Sequence, residues 1–217
     1  MDVDIKYMLE NIDQEARLTA DYTGRPRFAD SVMKAMAQVN RADFVPDIAQ
    51  SRAFLNAPLA IGHGQTISQP YIVALMTDLL ELSPDDRVLE LGTGSGYQAA
   101  ILAKLAKQVY TLERIGSLAD AAAGRLQALG FDNVSCRHSN GYHGWPEKAP
   151  FDAIMVTAAS PFVPPALLDQ LKPGGRLVLP LAETGLYQQL TLITKDEQGQ
   201  TETRPVLAVS FVPLVDD

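Results

Sequence analysis

Cysteine and histidine are scarce in this chain, which carries one of the first, Cys136, and three of the second, His63, His138 and His143. A single thiol forms no internal disulfide, and so few ligands at these spacings leave no Cys/His metal site, so no metal is expected. Basic clusters are missing as well. With a net charge of -8 and no grouping of Lys and Arg, the surface has no means of neutralising nucleic-acid phosphates, and the charge reads as solubility. No apolar run approaches the ~18 to 20 residues needed to cross a bilayer, and the opening MDVDIKYM lacks the basic and apolar regions of a secretory signal. Internal repeats and low-complexity segments are absent. Hydrophobic residues at 47% and charged residues at 20% are ordinary globular values, and 217 residues suffice for one well-buried domain but are short for two. The expectation is one cytoplasmic, monomeric domain over residues 1–217, without nucleic-acid or membrane partners.

What is present is organised around Arg87 to Tyr97, RVLELGTGSGY. It reads as a strand opening into a turn with Gly92, Gly94 and Gly96, followed by a helix near Gln98. Glycines there let a ligand lie directly against bare backbone. A second strand from Gln108 ends in Glu113, an acid at about the 20-residue separation at which dinucleotide-type folds place a ribose-binding carboxylate. These features leave two cofactors open. A nicotinamide dinucleotide favours G-x-G-x-x-G and a pyrophosphate on the helix amino terminus. The spacing here is G-x-G-x-G with Glu90 before it, and an acid at the loop mouth would repel phosphate and attract a cation. S-adenosylmethionine carries a sulfonium and an ammonium and no phosphate, so it suits the loop better.

In chain order, residues from Asp2 to Val39 show helical spacing broken at Gly24-Arg25-Pro26, and residues 1–60 are expected to form a helical support. Ile61 to Pro70 reads as a polar loop before a helix, either a plain capped turn or an anion site built from hydroxyls and amides. A helix from Ser117 to Leu129 leads to a strand at Val134 to Arg137 and the turn Ser139-Asn140-Gly141. Asn140 could face an adenine or simply hold that turn. A fourth strand spans Asp152 to Thr157, a short helix Pro164 to Leu171, then a KPGG turn and a fifth strand Arg176 to Pro180. Strands near Gln188 to Thr194 and Val206 to Val212 close the chain as an antiparallel hairpin. Alternating strands and helices predict an α/β fold with a mostly parallel sheet and helices on both faces.

From about Arg41 onward the chain resembles the protein-L-isoaspartate (D-aspartate) O-methyltransferase family. The resemblance rests on IGHGQTISQPYIVALMTDLLEL, VLELGTGSGYQAAILAKL, VYTLERI, PFDAIMVTAA, LLDQLKPGGRLVLPL and FVPLV. It implies a class I methyltransferase-like, Rossmann-like fold. It also implies methyl transfer from S-adenosylmethionine to the α-carboxylate of isoaspartyl residues in damaged proteins, with S-adenosylhomocysteine as the other product. The ester would collapse to a succinimide that reopens partly as normal aspartate, which amounts to protein repair. On this resemblance Ser68 is the active-site serine and Gln65, Thr66 and Ile67 its substrate loop. Glu90, Gly92, Thr93, Gly94, Gly96, Glu113, Arg114, Asn140 and Gly141 are the expected cofactor residues. The chain departs from the family pattern at Leu55, Ala60 and Asn140. A related enzyme with a changed carboxylate or small-molecule acceptor, or a non-catalytic S-adenosylmethionine-binding module, therefore stays open from the residues.

Overall fold

The computed structural model describes residues 3–182 and 187–215, so Asp2, where the helical spacing begins, lies outside the described residues. Three helices open the chain: α1 (Val3–Leu18), α2 (Ala20–Thr23) and α3 (Asp30–Gln38). Met8, Ile12 and Ala16 are the buried positions of α1, and their four-residue spacing places them on one helix face. Gly24 ends α2 in the left-handed conformation, as the Gly-Arg-Pro break suggests.

Two short 3-10 turns, Arg41–Phe44 and Asp47–Arg52, lead into the stretch read from sequence as a polar loop. That reading is corrected. Strands β1 (Leu59–Gly62) and β2 (Gln65–Ile67) pair antiparallel, Leu59 opposite Ile67 and Ala60 opposite Thr66. The turn residues His63 and Gly64 both have positive φ, 53° and 70°, the handedness that a two-residue hairpin turn needs to match strand twist. Strands this short carry too few residues to show a period.

The remaining elements are α4 (Pro70–Leu79), β3 (Arg87–Leu91), α5 (Tyr97–Ala103), β4 (Gln108–Glu113), α6 (Gly116–Ala128), β5 (Val134–His138), β6 (Phe151–Val156), α7 (Pro165–Gln170), β7 (Leu171–Leu181), β8 (Gln188–Lys195) and β9 (Thr201–Val209). The large sheet has the order β5-β4-β3-β6-β7-β8-β9. It is parallel from β5 to β7, and β8 and β9 each run antiparallel to the strand before. Because β3 is followed on one side by β4 and on the other by β6, the connections diverge above it and open a crevice at the carboxyl ends. Both faces are covered. Val88, Val109, Ala153 and Met155 pack with Met8, Met36, Leu75 and Ile101 in one layer, while Leu89, Leu91, Ile154 and Val156 pack with Trp145 and Leu167 in the other. Alternate residues of one strand thus serve opposite layers, which explains the near-continuous apolar runs.

Two boundaries differ from the sequence reading. The KPGG stretch belongs to β7 as a bulge, because Phe151 pairs with Leu171 and Ala153 with Arg176, and more residues of β7 than of β6 fall between these pairs. Strand β9 begins at Thr201 rather than Val206. It is an edge of the sheet, where exposed Thr201, Glu202, Thr203 and Pro205 and a half-buried Arg204 are tolerated, so hydrophobicity alone starts it too late.

Candidate active site

Two clefts open at the carboxyl edge of the sheet. The first is lined by Gln65 and Thr66 of β2, Gly92 and Gly94 after β3, Glu113 at the end of β4 and Arg114 after it, Ser139 and Gly141 after β5, Thr157 after β6, and the tail from Val212 to Val215. The second, about 540 Å³ in volume, lies between Ser68, Tyr71, Glu15 and Thr19 on one side and residues 207–212 on the other. Thr66, Thr157 and Val212 line both, so the two spaces meet there.

The glycine turn follows from close packing. Gly92 has φ 93°, and a Cβ on it would lie 2.4 Å from Thr157 Oγ1. That hydroxyl is itself fixed, its one proton shared between the carbonyls of Leu91 (2.9 Å) and Gly92 (2.8 Å). Gly94 N–H donates to Glu113 Oε2 (2.8 Å), and Ile115 N–H donates to Glu113 Oε1 (2.9 Å). A carboxylate accepts about four hydrogen bonds, so Glu113 is oriented by backbone amides and retains acceptor capacity for two hydroxyls. Gly96 serves another purpose: its added Cβ would meet Leu126 Cδ1 at 3.2 Å, so it lets α5 approach α6 and does not line the first cleft.

Glu90 lies beneath the loop, not at its mouth. It is fully buried, accepts from Thr111 Oγ1 (2.6 Å), and leaves Oε1 without a hydrogen-bond partner. Burial pushes its carboxyl up to about 8, so near neutral pH it is mainly protonated and offers no full charge to a cation. Thr111 also pairs with Thr93 (Oγ1 to Oγ1, 2.6 Å), so the acid supports the glycine turn through two threonines. Thr93 is buried with it. Asn140 caps the following turn, accepting from Tyr142 N–H (2.8 Å), while its neighbour Gly141 lines the cleft.

The sequence model of the family described as Protein-L-isoaspartate(D-aspartate) O-methyltransferase matches residues 19–217. The chain belongs to this family. A Syntrophobacter fumaroxidans relative named protein-L-isoaspartate O-methyltransferase 2 is 55% identical over 207 residues, covering 95% of this chain and 84% of the relative. A protein of the same name from Nitrosococcus oceani is 56% identical, covering 95% of this chain and 94% of its own. Among solved structures, a Plasmodium falciparum protein-L-isoaspartate O-methyltransferase in complex with S-adenosyl-L-homocysteine superposes with a TM-score of 0.81 at 28% identity, over 98% of both chains.

Within this isoaspartate methyltransferase frame, Gln65, Thr66, Gly92, Gly94, Glu113, Arg114 and Gly141 come together around the first cleft and Thr66 and Ser68 around the second. Ile67 points into the core, where it is 4% exposed. Leu55 is exposed and lines neither cleft, so this departure from the family pattern falls outside both. Three contributors escaped the sequence reading. Thr157 stood only as a strand end, and the tail was quoted as FVPLV without a role. Arg41 is the third. Its guanidinium is fully buried, donates to the carbonyls of Ala53, Ala57 (3.0 Å) and Ser68 (3.0 Å), and sits 6.0 Å from the Tyr97 ring centroid. Burial lowers its pKa to about 10, which still leaves it charged at neutral pH. A lone Arg between Asn40 and Ala42 gave no signal, because its partners are carbonyls that any sequence supplies.

Proposed function

We propose that the whole chain works as one catalytic unit that methylates the α-carboxylate of L-isoaspartyl residues in damaged proteins. The observation that carries this reading is the meeting of the two clefts at Thr66 and Thr157, with the glycine turn and Glu113 on one side and Ser68 on the other. When bound, S-adenosylmethionine supplies a sulfonium methyl group and leaves as S-adenosylhomocysteine. The first cleft suits it: Gly92 and Gly94 present bare backbone, and Glu113 keeps acceptor capacity for a ribose diol.

On the acceptor side, an α-carboxylate has an intrinsic pKa of about 3.5 and is already nucleophilic at neutral pH, so no general base is needed. Ser68 and the amides of residues 65–68 bind it, and Arg41 steadies the loop through the Ser68 carbonyl. No Lys or Arg lines this cleft among the described residues. That suits the reaction, because the carboxylate loses its charge as methyl arrives, and a fixed cation would oppose that loss. Holding oxygen and methyl in line is then the main task. The ester product closes to a succinimide that reopens partly as aspartate, which is repair. We read the chain as a cytoplasmic monomer; its acidic balance supports the absence of nucleic-acid partners, and no helix among the described residues is long and apolar enough to cross a membrane.

The test is methyl transfer from labelled S-adenosylmethionine to an isoaspartyl peptide, with the normal aspartyl peptide as control and Ser68→Ala beside the native enzyme. Selective, base-labile methylation that drops at least about tenfold in Ser68→Ala is expected from loss of one charge-assisted hydrogen bond. Equal turnover by the variant would reject the serine's role. Methylation of neither peptide would reject the repair reading.

A further inference from the structure

We infer that Glu15, on α1, is a specificity-determining residue that favours isoaspartyl peptides bearing a positive charge beside the reacting residue. This inference rests on the proposed repair reading and names the substrate preference of the same site.

Glu15 lines the acceptor cleft together with Ser68 and is the one charged side chain among the described residues that do so. Its position is held from two directions. The Thr19 hydroxyl donates to the Glu15 carbonyl (2.8 Å) and lies 2.6 Å from the Tyr71 hydroxyl, while the adjacent Ala16 is fully buried. Tyr71 belongs to α4, which begins just after Ser68, so the helix bearing Glu15 is pinned to the helix that follows the carboxylate-binding loop. Burial keeps the Tyr71 phenol protonated, and the neighbouring Glu15 charge adds to that effect against the Thr19 hydrogen bond. No ion pair neutralises the Glu15 carboxylate among the described residues, and it is half-buried.

A peptide whose α-carboxylate sits at Ser68 must run through this cleft, and the tail of the same peptide passes the Glu15 charge. Acidic side chains there are repelled and basic ones attracted. Glu15 precedes residue 19, where the family's sequence model begins its match, so that match does not itself include the position. A partly exposed charge pair in water alters affinity by about two- to fivefold and is weakened by salt.

The experiment uses the full chain and isoaspartyl peptides identical except for Lys, Gln or Glu next to the isoaspartyl residue, in one series on its amino side and one on its carboxyl side. The readout is the ratio of kcat/KM for the Lys peptide to that for the Glu peptide, which does not depend on the fraction of enzyme correctly folded. In the native enzyme this ratio should be about two- to fivefold in at least one series at low salt. It should approach one in Glu15→Gln and fall below one in Glu15→Lys. A ratio that Glu15→Gln leaves at its native value, or a native ratio of one in both series, overturns the inference while the repair reading stands. No methylation of any of these peptides would defeat the repair reading and this inference with it.

Discussion

Replacing Gly92 with alanine tests whether the cofactor turn is shaped by its contact with Thr157. The new Cβ would stand 2.4 Å from Thr157 Oγ1, well inside any real contact, on a backbone at φ 93°. The left-handed backbone costs a non-glycine residue about 1–2 kcal/mol. Relief of the clash requires the threonine hydroxyl to move off the Leu91 and Gly92 carbonyls, which costs about 1 kcal/mol more. The sum, about 2–3 kcal/mol, corresponds to a fall of roughly 5–10 °C in Tm for a chain of this size. Urea unfolding of Gly92→Ala should give that loss, and S-adenosylhomocysteine affinity by calorimetry should fall more than about tenfold, since the cleft wall itself is displaced. The same substitution in a Thr157→Ala background should cost about 1 kcal/mol less, because the clash is gone while the strain remains. An equal cost in both backgrounds would refute the steric account, and native stability with native affinity would refute the whole chain of reasoning.

Two further outcomes follow from buried polar groups. Burial raises Glu90 to about 8 against an unfolded value near 4.5. The folded state therefore binds that proton more tightly, and the stability this brings is present in full below about pH 4.5 and lost as pH rises through 8, by up to about 1.4 kcal/mol per pH unit. Thermal midpoints of the native protein and Glu90→Gln should accordingly diverge in favour of Gln between pH 5 and pH 8; a pH-independent difference would show Glu90 to be ionised when folded. Arg41→Lys keeps the charge but loses the planar fork that spans three carbonyls, so kcat/KM on an isoaspartyl peptide should fall about tenfold or more while S-adenosylhomocysteine affinity stays within about twofold. Equal loss of both would mean that Arg41 supports the fold alone.

The parts of the site that could be read from the sequence are those whose chemistry is local. Gly92 and Gly94 announce a turn because glycine takes a positive φ at no steric cost, and Glu113 announces itself by standing at a strand's carboxyl end. The same local rule misplaced Glu90, because residues alternate along a strand and an acid one step short of the end points into the protein, where Thr111 of the neighbouring strand receives it. Gly96 looked like part of the ligand loop and proved to be a packing residue, since its neighbour Leu126 comes from a helix about 30 positions later. Register and bulges were equally hidden: the KPGG residues and the polar start of β9 take their conformation from partner strands.

By itself the sequence determined the order of the large sheet's strands and of the helices between them along the chain, the parallel sheet with its antiparallel closing strands, and the loops that can face a ligand, because periodicity and glycine placement are properties of neighbours along the chain. Only the tertiary structure decided which of those loops share a cleft. Thr66 and Thr157 meet although β3 to β6 separate them in sequence, Arg41 reaches Ser68 through a buried guanidinium, and a C-terminal tail closes both spaces. Such meetings depend on how layers pack and on where unpaired carbonyls are left over, and neither is written in any one segment.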